Sequence, residues 1–449
     1  MRSTDKHILA ENDVGKLLIK LSIPSTIGMF VMSSFNVVDT IFVGRGVGML
    51  GIAGVAICFP VQILVLAIAQ LFGMGGASII SRAIGTGDLA KVNKTFGNVV
   101  FSTTILSFMV AIPGLIFINT FAKFLGATPD VMPYAIDYLS IILLGTVFRC
   151  FAISSNNIIR SEGRAKISMT LMIIAAILNV ILDPIFIFVL DMGVKGAAIA
   201  TVISQFAVAI YALAFFNSEK SIIQFKRIKL KPDFKIIREI VSIGMASLGR
   251  NLSSSALIII MNNVFAGLDF QIGIAIYGII NRVIFLFSTP IMGVSQGLQP
   301  IVGFNFGAKR FDKVTEVVKK AYIRAVVISL FTFTIVMLFP NQIINLFSND
   351  PNLIESGVPA FRKVVLLFPM IGLQMMGGAY FQAIGKAFKA FVLTLSRQAI
   401  VLIPLILILP KFLGIDGVFW SFPIADFSSA IITYFFVSRS LKSLARTNS

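Results

Sequence analysis

The chain has 449 residues, 57% of them hydrophobic and only 13% charged, with a mean hydropathy of +0.93. A soluble domain carries about 25% charged residues, so a soluble globular fold is excluded. The net charge of +18 does not point to nucleic acid, because the basic residues sit in connections between apolar runs, where membrane topology accounts for them.

The rarer residue types exclude further classes. Cys58 and Cys150 both lie in apolar runs, which leaves no disulfide framework. The single histidine, His7, stands in a polar tail, so a zinc or di-iron enzyme lacks its ligands. No phosphate-cradling GxxxxGK[ST] motif occurs. Energy for any transport is expected from an ion gradient, with no cofactor beyond a coupling H⁺ or Na⁺. A transmembrane β-barrel is excluded by the long unbroken apolar runs, since barrel strands alternate over about ten residues. Met1 to Asp13 mixes acids with bases, and the apolar segment after it is long enough to span, so no cleavable signal is expected.

In chain order, the apolar runs predict helices at about 17–44, 51–77, 95–118, 133–157, 167–190 and 195–217. After a polar, basic stretch they resume at about 237–266, 272–301, 321–340, 355–383, 390–411 and 415–438. At about 20 apolar residues per crossing, this is an all-α integral membrane fold of twelve transmembrane helices. With the N-terminus inside, the outer connections hold only Arg45, Lys123, Lys195 and Lys411, and the inner ones several times as many Lys and Arg. The positive-inside rule then puts both termini in the cytoplasm of a multi-pass inner-membrane protein.

The two halves repeat. Gly51, Gly75, Gly85, Lys91 and Gly163 return 222 residues later as Gly273, Gly297, Gly307, Lys313 and Gly385. The offset spans six helices, so both halves keep one orientation: two parallel-repeat six-helix lobes, a transporter plan. The expected divisions are an N-lobe at 1–217, a basic cytoplasmic linker at 218–236 and a C-lobe at 237–449.

An ionisable residue inside a span is costly and marks function. Two acids qualify: Asp39 in the first helix (SSFNVVDTIFVG) and Asp183 in the fifth (LNVILDPIFIF). Those helices run the same way, and counting at about 1.5 Å per residue puts both acids at one depth in the outer half. Each has an amide on its own face, Asn36 at i−3 and Asn179 at i−4, while Tyr138 and Thr201 reach the same level. The corresponding second-half positions, about Ile259 and Pro404, are apolar, so the acids are an addition to the scaffold. Arg250 and Asp426, near the middles of the seventh and twelfth helices, are expected to pair or to line a cavity. Arg149 and Arg282 are expected to snorkel or pair.

These residues resemble the multidrug and toxic compound extrusion (MATE) family. The resemblance covers nearly the whole chain and rests on LSIPSTIG, FNVVDTIFVG, GASIISRAIGTGD, IIRSEGRAK, LNVILDPIFIF and GVKGAAIAT. It is closest to the branch named for a DNA-damage-inducible member. The resemblance implies twelve helices in two lobes with alternating access, and an N-lobe ion site of Asn36, Asp39, Tyr138, Asn156, Asn179, Asp183 and Thr201. Another branch uses acids in the seventh and tenth helices; here Asn262, Asn263 and Gln374 are the nearest polar groups.

The expected function is secondary active efflux, with no enzymatic step: drug-like organic cations or other amphiphiles leave in exchange for H⁺ or for Na⁺ held at Asp39 and Asp183. A monomer in membrane lipid, without a nucleic-acid partner, is expected. The alternative is a flippase for a lipid-linked oligosaccharide, which needs a strongly cationic cavity; only Arg250 and Arg282 are candidates for one. A membrane-embedded enzyme or channel is a third reading, and no clustered nucleophiles favour it.

Overall fold

A computed structural model describes residues 8–225, 228 and 230–448; the side chains of Asn36, Val37, Thr40, Thr447 and Asn448 lie outside the description. His7, named above for its rarity, and Lys226, Arg227 and Lys229 of the basic stretch also lie outside it. Among the described residues twelve helices are long and apolar enough to cross a membrane, and there is no strand. Helices are the form such a sequence takes in lipid, where each backbone group must find its partner within its own segment.

One helical run, Val14–Thr86, breaks at Gly48, whose φ of 77° lies outside the helical range. The break separates α1 (14–47) from α2 (49–86). There follow α3 (Leu89–Ile116), α4 (Met132–Ser161), α5 (Ala165–Pro184) and α6 (Gly193–Phe216). The second half holds α7 (Phe234–Gly267), α8 (Gln271–Gly307), α9 (Phe311–Leu338), α10 (Pro351–Ala383), α11 (Ala387–Leu413) and α12 (Ile415–Asn448). The offset seen in single glycines extends to whole elements. Leu89 and Phe311 open α3 and α9, Ala165 and Ala387 open α5 and α11, and Gly193 and Ile415 open α6 and α12, each pair 222 residues apart. The short helices Ile118–Phe124 and Pro340–Asn345 obey the same shift.

The chain forms two compact units, Ile27–Gly244 and Met1–Thr26 with Met245–Ser449. The start of α1 therefore belongs with the second half, and the start of α7 with the first. Two repeat-related glycines make this exchange possible. A Cβ on Gly75 would lie 2.1 Å from the Ile240 carbonyl oxygen, and one on Gly297 would lie 2.5 Å from Ser22 Oγ. Each glycine lets a borrowed helix start approach closely, as small residues do between membrane helices. The borrowed starts are capped alike. Asp13 Oδ1 accepts from the Gly15 and Lys16 amides, and Asp233 Oδ1 from those of Lys235 and Ile236. The Lys16 amide holds the Asp13 carboxyl below its usual range, and the Lys94 ammonium does the same for Asp233.

The basic stretch after α6 is fastened to the first unit. Glu162, wholly buried between α4 and α5, accepts from Ser221 Oγ at 3.0 Å, the Ile222 amide at 3.1 Å and the Ile223 amide at 3.3 Å. Asn93 Oδ1 accepts from the Gln224 amide, and Asn98 Oδ1 from the Asp233 amide at 2.7 Å. Within this unit an apolar core of Cys58, Val61, Leu139, Ile142, Leu143 and Ala198 fills the space between α2, α4 and α6.

Candidate functional site

The site is built from the outer halves of α1, α4, α5 and α6, all in the Ile27–Gly244 unit. Asp183 is the next-to-last residue of α5, and Pro184 follows it. Proline has no N–H to continue the ladder, and the chain passes into one π-helical turn, Ile185–Val189. Such wide turns recur at functional sites because they re-aim neighbouring side chains. Asp183 is 0% exposed, and its Oδ1 has no hydrogen-bond donor. One turn earlier, Asn179 is also buried. With its amide nitrogen turned to the carboxylate, Asn179 donates to Asp183 Oδ2 at 2.7 Å. Its oxygen then accepts from Thr201 Oγ1 at 3.3 Å and the Thr201 amide at 3.1 Å. Asn179 thus ties α5 to α6 at the level of the acid.

The Asp39 carboxyl of α1 meets that of Asp183 in a side-chain hydrogen-bond contact. Two carboxyl groups this close cannot both stay ionised without something between them. A shared proton or a bound cation fits the orphaned Asp183 Oδ1. Tyr138 of α4 is buried within electrostatic reach of Asp39, and its hydroxyl accepts from Gln62 Nε2 of α2 at 3.2 Å.

The structure therefore brings Asp39, Asp183, Asn179 and Thr201 into one cluster with Tyr138 beside it. Asn36 has its side chain outside the described residues. Asn156 is engaged elsewhere: its Nδ2 donates to the Ser168 carbonyl at 2.9 Å and its Oδ1 accepts from Ser168 Oγ at 2.9 Å. In the other unit the expected pairing of Arg250 with Asp426 is not formed. Asp426, 1% exposed, is bound through Oδ1 by Arg397 Nε of α11, and among the described residues Arg250 is in no ion pair. Arg397 sits in a second π-helical segment, Ser396–Leu402, which turns it towards α12. The sequence reading missed Arg397, although a lone arginine in LTLSRQAIVLIP is the same kind of signal that exposed the acids. It also missed Gln62, which an apolar run gives no reason to single out.

Comparison with known proteins agrees with this architecture. A family model described as MatE matches residues 24–185 and again 246–408, two segments that start 222 residues apart. The multidrug export protein MepA of Staphylococcus haemolyticus is 26% identical over 437 residues, covering 97% of this chain and 96% of that protein. MepA of Staphylococcus aureus strain MW2 is 25% identical over 426 residues, 95% of this chain and 94% of that one. Among solved structures, the MATE multidrug transporter DinF-BH, solved in complex with a ligand, is 40% identical, with a TM-score of 0.87 over 94% of this chain and 95% of that one. An outward-facing MATE family multidrug resistance transporter of the MOP superfamily superposes with a TM-score of 0.89 at 28% identity, over 99% of this chain and 100% of that one. These matches favour multidrug export over the flippase alternative. With both halves matched by the family model, the chain is a multi-pass membrane protein that belongs to the MATE family of multidrug efflux transporters.

Proposed function

We propose that the protein couples entry of H⁺ or Na⁺ at Asp39 and Asp183 to export of amphiphilic organic compounds, organic cations among them. The reading rests on one observation: a buried carboxyl pair in which Asp183 Oδ1 has no donor. A proton or a sodium ion completes that pair, and Asn179 and Thr201 supply further polar atoms around it. In this reading the ion arrives from outside and changes the cavity enough to release the compound. A membrane potential contributes about 2.3 kcal/mol per charge per 100 mV, which sustains roughly a 50-fold gradient per ion.

The orientation that supports this direction of exchange is the basic bias of the inner connections, with both termini in the cytoplasm of the inner membrane. The protein works as a monomer in lipid, because the cluster is complete within one unit of one chain. The relatives' printed descriptions, multidrug export and a multidrug transporter in complex with a ligand, support drug-like substrates.

The test uses purified protein in liposomes, with dye transport driven first by a pH gradient and then by a sodium gradient. Asp39→Asn and Asp183→Asn are each expected to lower coupled transport by at least about tenfold, the scale of about 1.4 kcal/mol lost from one charged contact. Unchanged transport in either variant would remove the coupling role of that carboxyl.

A further inference from the structure

A buried arginine in the same unit has no role in the coupling just described. Arg149 lies in α4, eleven residues after Tyr138, which is about three helical turns and the same face. Its Nη1 donates to Gln62 Oε1 at 3.2 Å, and the other end of that amide donates to the Tyr138 hydroxyl at 3.2 Å. Gln62 thus bridges both residues and holds the guanidinium in line with Tyr138, which is itself within electrostatic reach of both Asp39 and Arg149.

Among the described residues the guanidinium has no ionic partner. This unit forms the pairs Arg82–Glu239, Lys91–Glu239, Lys94–Asp233 and Lys195–Asp137, and Arg149 is in none of them. A guanidinium carries five N–H donors in a planar fork, and the Gln62 oxygen answers one. A lone charge inside a span is costly to keep, and snorkelling does not relieve it here, because the head is turned inward to Gln62. Gln62, Arg149 and Asp39 each retain some accessible surface, although Tyr138 between them is buried. Both poles are therefore reachable.

With one proton shared by Asp39 and Asp183, the three charges of the site sum to zero. A monocation entering next to Asp39 leaves the guanidinium with an amide alone and adds a like charge to it. A compound with a cationic group and a carboxylate answers both poles, and the fork of arginine matches a carboxylate with two parallel hydrogen bonds.

We propose that Arg149, held by Gln62, is a specificity-determining residue that selects zwitterionic amphiphiles, taking the carboxylate while the cationic part faces Asp39. This rests on the export reading above.

The probes are a rhodamine dye with a free carboxylate and the same dye as its ethyl ester, which keeps the cation and removes the anion. In liposomes the acid-to-ester transport ratio is expected to fall about tenfold in Arg149→Gln, the scale of one charge-assisted hydrogen bond. Arg149→Lys, which keeps the charge and loses the fork, is expected to fall in between. An unchanged ratio in Arg149→Gln overturns the proposal. Binding of both dyes to the wild-type protein needs no variant: tighter binding of the acid supports the proposal, and equal or weaker binding overturns it. Ester transport with no acid preference sinks this inference alone. If neither dye moves in the wild-type protein, the export reading falls and takes this inference with it.

Discussion

At the scale of single residues, Asn179 is the side chain whose loss separates positioning from charge. It joins the Asp183 carboxylate to Thr201, and Asn179→Ala leaves both without that partner. A hydrogen bond to a charged group contributes about 1.5–3 kcal/mol. Ion-driven dye efflux by Asn179→Ala is therefore expected to drop about tenfold or more. Thr201→Val is expected to lose less, because the Thr201 amide still faces the Asn179 oxygen. Equal losses in initial-rate assays would contradict this order. A second residue-scale prediction concerns pH. Glu162 lies between the spans, and burial pushes its carboxyl up to about 7, against the opposing pull of the Ile222 amide, the Ser221 hydroxyl, the Ile223 amide and Arg164. A carboxyl raised in the folded state contributes its stability fully below its unfolded value. That contribution is lost as pH rises through about 7. Thermal unfolding in detergent is expected to show wild-type stability falling relative to Glu162→Gln by roughly 1 kcal/mol per pH unit between about pH 5 and 7. A parallel pH dependence in the two proteins would rule this out.

At the scale of elements, the helix crossings depend on where a side chain is missing. Gly75 and Gly297 are repeat mates, and a Cβ on either meets the borrowed start of another helix at 2.1 or 2.5 Å. The Gly75 contact is with a backbone carbonyl, which has less freedom than the serine hydroxyl opposite Gly297. Gly75→Ala is therefore expected to cost more, in the range of about 1–3 kcal/mol seen for overpacked cores, and Gly297→Ala less. Unfolding midpoints of the two variants check the order. The π-helical segments add a different lesson. Ile185–Val189 follows Pro184, so its place is marked in the sequence. Ser396–Leu402 precedes Pro404 and has no such mark of its own. Its effect is that Arg397 meets Asp426, where helix positions alone suggested Arg250.

At the scale of the molecule, the repeat decides the architecture, and a small exchange of segments binds it. Residues 1–26 cluster with the second half and residues up to 244 with the first. Each half, expressed alone after a cut near residue 230, is missing the segment its glycines receive. Co-expression of the two pieces is expected to restore dye efflux and protease resistance, whereas either piece alone is expected to be degraded. Stable accumulation of a single piece would argue against the exchange. The linker fits this plan, since Glu162, Asn93 and Asn98 hold its described part to the first unit.

The sequence by itself determined the twelve helices, the repeat and the two acids. Each of these depends on a property that a membrane enforces residue by residue: apolar length, small residues at fixed intervals, and the cost of a charge in oil. Only the tertiary structure decided which polar groups meet. It placed Asp183 against Asp39, turned Asn156 to Ser168, gave Asp426 to Arg397 and set Gln62 between Tyr138 and Arg149. Depth along a helix is readable from spacing, but direction around the bundle depends on helix rotation and on π-turns, and those follow from packing between segments far apart in the chain.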